Sequence, residues 1–292
     1  YKVSIAMPVY NGEKTLELTL NNIIEQFQEG LEIVLCDDNS SDNTYNLAKS
    51  YADRYEFVKV FQNDKNLGMD INFLKTASLA SGEYVWFFGQ DDLMKSNTIK
   101  KVIEVLQDNR IGIVYINYSQ YDHNMKNSIT SSYLDKYVKI DKKAILNKDY
   151  YFSSSNEYFN HFHDLPSFLP ATIINCDYLI NSDLSPFYGT HYVQVGLMYL
   201  NMHKGSIYVI SDPLIKGRIP NDKWQFDGDK HFKVLTGFLK MQKVALDAGA
   251  FLPERIYRSN KINYLLNYFF LIHLCKTRGM ETTNENLLLL KN

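Results

Sequence analysis

YVWFFGQDDL, residues 84–93, drives five hydrophobic or aromatic side chains into Gly-Gln-Asp-Asp and stops there. A short apolar run of this kind, rich in aromatic and β-branched residues, reads as a strand buried on both faces. Two adjacent carboxylates at the rim of a buried sheet are costly unless something offsets their charge. Asp91 and Asp92 are therefore expected to answer to a bound group.

Working outward, the same alternation recurs on both sides. KVSIAM (2–7), LEIVLC (31–36), FVKVF (57–61), EYVWFF (83–88) and IGIVYI (111–116) read as strands. Between them, residues 13–27, 41–55, 68–80 and 96–109 carry helical spacing. Leu16, Leu20, Ile23, Ile24 and Phe27 mark the inner face of the first helix, and Ser41 or Asp42 caps the second. Strands alternating with helices of this length imply right-handed crossovers. The expected class is α/β, a Rossmann-like, mostly parallel sheet flanked by helices.

Beyond residue 117 the pattern loosens. Residues 168–183 read as a strand running into a short helix, 190–205 as a helix, 206–218 as a strand, and the tail from about 227 as helical. Three parts are expected: 1–116, 117–220 and a C-terminal helical extension over 221–292.

In open α/β sheets ligands bind beyond the carboxyl ends of the strands. Three such ends are unusual here: MPVYNGEKT, CDDNSSDNT and GQDDL. Together they are expected to collect Asp37, Asp38, Asp91 and Asp92 around Pro8 and Tyr10. Four crowded carboxylates repel unless a cation lies among them. A divalent metal with a phosphate is the economical answer, and oxygen ligands suit Mg2+ or Mn2+. Asp42 reads more simply as a helix cap.

Composition narrows the classes. A formal net charge of −2 over 292 residues argues against nucleic acid as a partner. Cys36, Cys176 and Cys275 are scattered and odd in number, which fits a reduced, cytoplasmic protein. The first residues read as strand rather than as a charged segment followed by an apolar run, so no leader is expected there.

At this point the motifs resemble one family. SIAMPVYNGEKTLELTLNNIIEQ, EIVLCDDNSSDNT, NDKNLG and ASGEYVWFFGQDD are similar, in order and spacing, to a family 2 glycosyltransferase with the GT-A fold. GMDINF and YVWFFGQDD are most similar to the branch containing bacterial O-antigen sugar transferases such as abequosyltransferases. The resemblance covers about the first 115 residues. It implies metal-assisted, inverting transfer of a sugar from a nucleoside-diphosphate sugar to a glycan or lipid-linked glycan, in capsule, O-antigen or lipopolysaccharide synthesis. The nucleotide stays open between UDP, CDP and GDP.

Residue by residue, the resemblance places Pro8 and Tyr10 beside the nucleotide base and Asp38 on the base edge. Asn66 and Gly68 of NDKNLG lie at the donor. Asp92 binds the metal that grips the diphosphate, and Asp91 lies near the ribose or a metal-bound water. Gln90 stands where the motif usually has an acid and is expected to meet a sugar hydroxyl. The Arg-Asn pair common after NLG is missing, and the nearest polar residues are Asp70 and Asn72. The Glu-Asp pair that supplies the acceptor base is also missing from FYGTHYVQVGLMYL (187–200). His191 is the best substitute as base, with Asp183 and Gln194 behind it.

Other features are weighed beside these. HFHD (161–164) reads as an acceptor-side loop rather than a metal site. Arg218 and Lys223 could reach the diphosphate as a lid, or be ordinary solvated charge. INYLLNYFFLIHLC (262–275) is too short to span a bilayer, which takes ~20 residues. It packs on the core, partners a second copy in a homo-oligomer, or lies on the inner face of the cytoplasmic membrane. A pyrophosphorylase would need a Gly-rich loop with Arg and Lys after the first strand. A phospho-aspartate hydrolase or receiver would need a Lys at a later strand end. Neither is present. Gln90 and the missing Glu-Asp pair keep open a degenerate, non-catalytic sugar-nucleotide binder.

Overall fold

The computed structural model describes residues 1–134, 148–162, 165–219 and 228–250, together with Pro253, Glu254, Tyr257, Arg258 and Ile262. His163, Asp164, Lys223 and the apolar stretch beyond Ile262, including Cys275, lie outside the described residues.

The first half follows the expected alternation closely. It runs β1 (Val3–Val9), α1 (Leu16–Ile24), β2 (Leu31–Asp37), α2 (Thr44–Ala52), β3 (Val58–Gln62), α3 (Met69–Ser78) and β4 (Tyr84–Phe87). These four strands pair in parallel in the order β3-β2-β1-β4. The first helix is shorter than its apolar spacing suggests. It ends at Ile24, and Phe27 leaves the core face to stack on Phe57 at 4.0 Å.

The second half adds β5 (Leu93–Met94), α4 (Thr98–Val105), β6 (Ile111–Tyr121), β7 (Ser128–Thr130), β8 (Tyr150–Phe152) and α5 (Ser155–His161). It continues with β9 (Thr172–Asn175), α6 (Cys176–Ile180), α7 (Val193–Asn201), β10 (Ser206–Arg218) and α8 (Gly228–Asp247). The sheet order is β3-β2-β1-β4-β9-β6-β10-β5, with β7 on β6 and β8 on β10. β9 is the departure from a simple parallel sheet. It inserts between β4 and β6, antiparallel to both. The Trp86 indole donates to the Pro170 carbonyl at 2.9 Å, tying the segment entering β9 to β4.

Side chains alternate across the strands, so two cores form. Tyr84, Trp86 and Phe88 pack with Leu16, Ala48 and Ile99 under α1, α2 and α4. Val85 and Phe87 pack with Phe73, Tyr158, Val195 and Phe238 under α3, α5, α7 and α8. The helix cap expected at Ser41 or Asp42 falls at Asn43, whose side chain makes no cap bond, while Asp42 Oδ1 accepts the Thr44 N–H at 3.0 Å at the start of α2. β4 is buried along its whole length because it lies inside the sheet with helices on both faces. Its carboxyl end, with those of β1 and β2, opens on one edge.

Candidate active site

That edge carries a cavity of about 930 Å³. Pro8 and Tyr10 from the end of β1, Asp38 after β2, Asn66 and Gly68 before α3, and Gly89 to Asp91 after β4 form one wall. Tyr118 and Gln120 from β6, with Phe168, His191, Tyr192 and Gln194, form the other. Eight of the nine residues expected from sequence to act therefore line one cavity. Asp92 lies directly behind it.

The four acids do not form one cluster. Asp37 is turned away, its carboxylate accepting hydrogen bonds from Ser40 and from Gln62 Nε2 at 3.0 Å. Asp38 organises the loop before α3: Oδ1 accepts from Asn63 Nδ2 and the Leu67 N–H, both at 2.8 Å, and Oδ2 from the Gly68 N–H at 2.9 Å. Asn66 Oδ1 accepts from the same Gly68 N–H at 2.9 Å. Gly68 itself has φ 84°, a left-handed conformation suited to glycine. A carboxylate has about four acceptor positions, so Asp38 keeps little beyond this loop for a ligand.

Asp91 and Asp92 converge. A Cβ built on Gly89 would lie 2.6 Å from Asp92 Oδ2 and 3.2 Å from Asp91 Oδ1, so both carboxylates crowd the same bare backbone. Asp92 is 5% exposed. Burial pushes both carboxyl groups above the usual range, Asp92 well above it, and the neighbouring Asp91 charge adds to the rise on Asp92.

The acidic loop is held from two sides. Thr19 Oγ donates to the carbonyls of Gln90 and Asp92, both at 3.1 Å. Three residues on, one helical turn away, Asn22 exchanges hydrogen bonds with the Met94 backbone. From the far side the Arg218 N–H donates to Asp92 Oδ1 at 2.9 Å and its Nε to the Asp91 carbonyl at 2.8 Å, while its Nη1 donates to the His123 carbonyl. Arg218 is thus neither a lid nor ordinary solvated charge, the two readings that the sequence left open. It is bolted behind the acids.

Gln90 also departs from expectation. Its amide does not reach out for a sugar hydroxyl. Tyr10 N–H donates to Oε1 at 2.9 Å, and Nε2 donates to the Tyr10 carbonyl at 3.0 Å. The side chain staples the end of β1 to the acidic loop.

On the opposite wall His191 begins the segment leading into α7 with φ 63°. Its backbone N–H donates to Asp70 Oδ2 at 3.1 Å. Gln194 donates to the Ser167 carbonyl at 3.3 Å. Asp183 is elsewhere, its carboxylate accepting from Ser185. His161 is structural: it packs on Phe152 at 5.1 Å and bonds the Glu157 carbonyl. Sequence reading passed over Asp70 as a site group, although an acid just after a strand-end loop was the available signal. It also missed Tyr118 and Phe168, whose ring centroids lie 4.4 Å apart, the planes tilted by 32°, within the cavity wall.

The residues fit a divalent cation. Among the described residues no group of three or more His, Cys, Asp or Glu gathers as a metal cage. One or two carboxylates are what a Mg2+ or Mn2+ site needs when phosphate and water complete the shell. The raised Asp91–Asp92 pair is a set of oxygens that such a charge would relieve.

Residues 4–168 match the family model for glycosyl transferase family 2. Among curated proteins, the chain is 28% identical over 255 residues to abequosyltransferase RfbV of Salmonella typhimurium, covering 84% of this chain and 74% of that one. It is 24% identical over 267 residues to the GalNAc(5)-diNAcBac-PP-undecaprenol beta-1,3-glucosyltransferase of Campylobacter jejuni, covering 90% and 80%. Several other relatives match over less than half of their own length. Among solved structures, S. aureus TarS 1-349 in complex with UDP-GlcNAc superposes with a TM-score of 0.65 at 20% identity, covering 92% of this chain and 73% of that one. Mannosyltransferase PcManGT from Pyrobaculum calidifontis, in complex with GDP-Man and Mn2+, gives a TM-score of 0.62 at 15% identity, covering 100% and 79%. The fold is GT-A.

Proposed function

The chain belongs to glycosyl transferase family 2 and is a glycosyltransferase, and on that premise we propose that it transfers a sugar from a nucleoside-diphosphate sugar to a glycan or lipid-linked glycan of bacterial surface polysaccharide. The observation that carries this reading is the placement of Asp91, with Asp92 packed beside it behind the wall, at one edge of a cavity that Pro8, Tyr10 and the Asp38 loop also line. The donor wall comes from residues 8–91 and the opposite wall from 118–194, which supports donor and acceptor halves meeting near residue 117.

In this reading Tyr10, 47% exposed and held by Gln90, offers a ring to the nucleotide base. Asp38 fixes the loop that frames the base. Asp91 faces the diphosphate with Asp92 behind it, and these two would hold Mn2+ or Mg2+. Such a cation, when bound, neutralises the charge that grows on the departing diphosphate. Arg218 backs the pair and keeps the loop in place. His191 and Asp70 border the space left for the acceptor.

UDP, CDP and GDP sugars are all within the reading. A lipid-linked acceptor, the kind named for the Campylobacter relative, would bring the protein to a membrane surface. No helix of the described residues is long and apolar enough to cross a membrane, so the approach is proposed as peripheral. Gln90 no longer favours a non-catalytic binder, because its amide has a structural use on Tyr10.

The test is nucleotide release by the full chain from UDP-, CDP- and GDP-sugars with Mn2+, with and without undecaprenyl-diphosphate-linked sugar. Release that rises with the lipid-linked sugar supports the reading. Binding of every donor without any release contradicts it.

A further inference from the structure

We propose that Asp70 is the general base of the transfer, the carboxylate that takes the proton from the attacking acceptor hydroxyl. This rests on the transferase reading above.

Asp70 sits in the first turn of α3, is 7% exposed, and lines the cavity. A carboxylate buried to this degree is costly unless a cation or several donors meet it. Among the described residues no Lys, Arg or His side chain forms an ion pair with it. One hydrogen bond reaches it, from the His191 N–H to Oδ2 at 3.1 Å. Oδ1 accepts no hydrogen bond from any described residue. The fold thus keeps a buried acid with one oxygen anchored and the other uncommitted, on the wall of the site.

The other acids of the cavity have prior uses. Asp38 spends its oxygens on Asn63, Leu67 and Gly68. Asp91 belongs to the acidic pair at the diphosphate. The Tyr192 phenol is pushed up to about 12 by burial, so it does not accept a proton near neutrality. His191 is held by Asp70 through its backbone, in a left-handed conformation that fixes where its chain turns. Its ring is left to orient the acceptor.

In the reaction the acceptor oxygen forms a bond to the anomeric carbon. The bond from that carbon to the phosphate oxygen breaks, and its electron pair leaves with the nucleoside diphosphate. The hydroxyl proton passes to Asp70 Oδ1.

The test uses the full chain with Mn2+ and UDP-, CDP- and GDP-sugars, with water as acceptor and nucleotide release as readout. Asp70→Asn is expected to cut release by about 100-fold or more while keeping the thermal shift that the donor produces. Asp70→Ala regains several-fold activity in sodium formate, which leaves the wild type unmoved. Release by Asp70→Asn close to wild type overturns the inference, as does loss of the donor shift, which would make Asp70 a donor contact. A collapse in His191→Ala beside an active Asp70→Asn hands the proton to the imidazole. A wild type that binds no nucleotide sugar overturns the transferase reading and this assignment together.

Discussion

The side-chain amide of Gln90 and the backbone of Tyr10 exchange two hydrogen bonds, at 2.9 and 3.0 Å. They join the end of β1 to the loop after β4, so the ring proposed to meet the base and the acids proposed to meet the diphosphate move as one unit. Gln90→Ala removes both bonds at a partly exposed site. The expected cost is about 1–2 kcal/mol in urea unfolding, with donor affinity falling several-fold more than turnover of bound donor. Gln90→Asn, one methylene shorter, should not restore the pair.

Asp92 is buried beside a like charge, and among the described residues only the Arg218 N–H donates a hydrogen bond to it. Asp92→Asn relieves that repulsion, so the metal-free protein should melt at an equal or higher temperature than wild type. The same variant should lose the extra stabilisation that Mn2+ adds to a bound nucleotide sugar. Differential scanning fluorimetry with and without Mn2+ reads both. Full transfer activity in Asp92→Ala would remove this residue from the metal assignment.

The long helix α8 touches the wall that carries His191 at a point that leaves no room for a side chain. A Cβ on Gly237 would lie 2.1 Å from the Thr190 carbonyl oxygen, one residue before His191. Gly237→Ala must push α8 or the 190–191 turn aside, at about 1–3 kcal/mol for an overpacked contact. Turnover should fall more than donor affinity, since the donor wall is built from other elements. Equal losses in both would mean that the helix supports the whole cavity.

Glu32, fully buried in β2, accepts from Lys59 at 2.7 Å, from the Ser81 N–H at 2.6 Å and from the Ser4 hydroxyl. Burial alone would raise its carboxyl, but the hydrogen bonds from Lys59, Ser4 and Ser81 outweigh it and hold the group below its usual value. A lowered folded-state pKa means stability that is present above the unfolded value of about 4.3 and lost as pH falls through the folded one. Glu32→Gln should cost at least about 2 kcal/mol at pH 7. The gap to wild type should narrow below about pH 4 in urea titrations.

Much of the first half was legible because its signals are local. Each expected strand from β1 to β4 lies within two residues of the observed one, and the acids after β4 stand out against the apolar run before them. The insertion of β9 was not legible. Thr172–Asn175 reads as any buried strand, and its place between β4 and β6 depends on pairing with residues about 60 to 90 positions away. Side-chain direction was equally hidden: Gln90 turned inward to Tyr10, Arg218 turned back onto the acidic loop, and Asp37 turned from the site, each through a partner distant in sequence. Asp70 drew notice only as a polar residue near the missing Arg-Asn pair, because an acid in the first turn of a helix ordinarily serves the helix dipole. Its burial and its contact with His191, 121 residues on, exist only in the fold.

The most direct test is a thermal-shift panel of UDP, CDP, GDP and their sugars at millimolar concentration, each with and without Mn2+. A ligand at 100 times its dissociation constant adds about 2.7 kcal/mol of stability, enough for a clear shift. The account predicts a rise for one nucleotide, larger for its sugar and larger again with Mn2+, and loss of the Mn2+ increment in Asp91→Ala and Asp92→Ala. No shift with any of them, or one that ignores both the metal and the two acids, would contradict a donor site at Asp91 and Asp92.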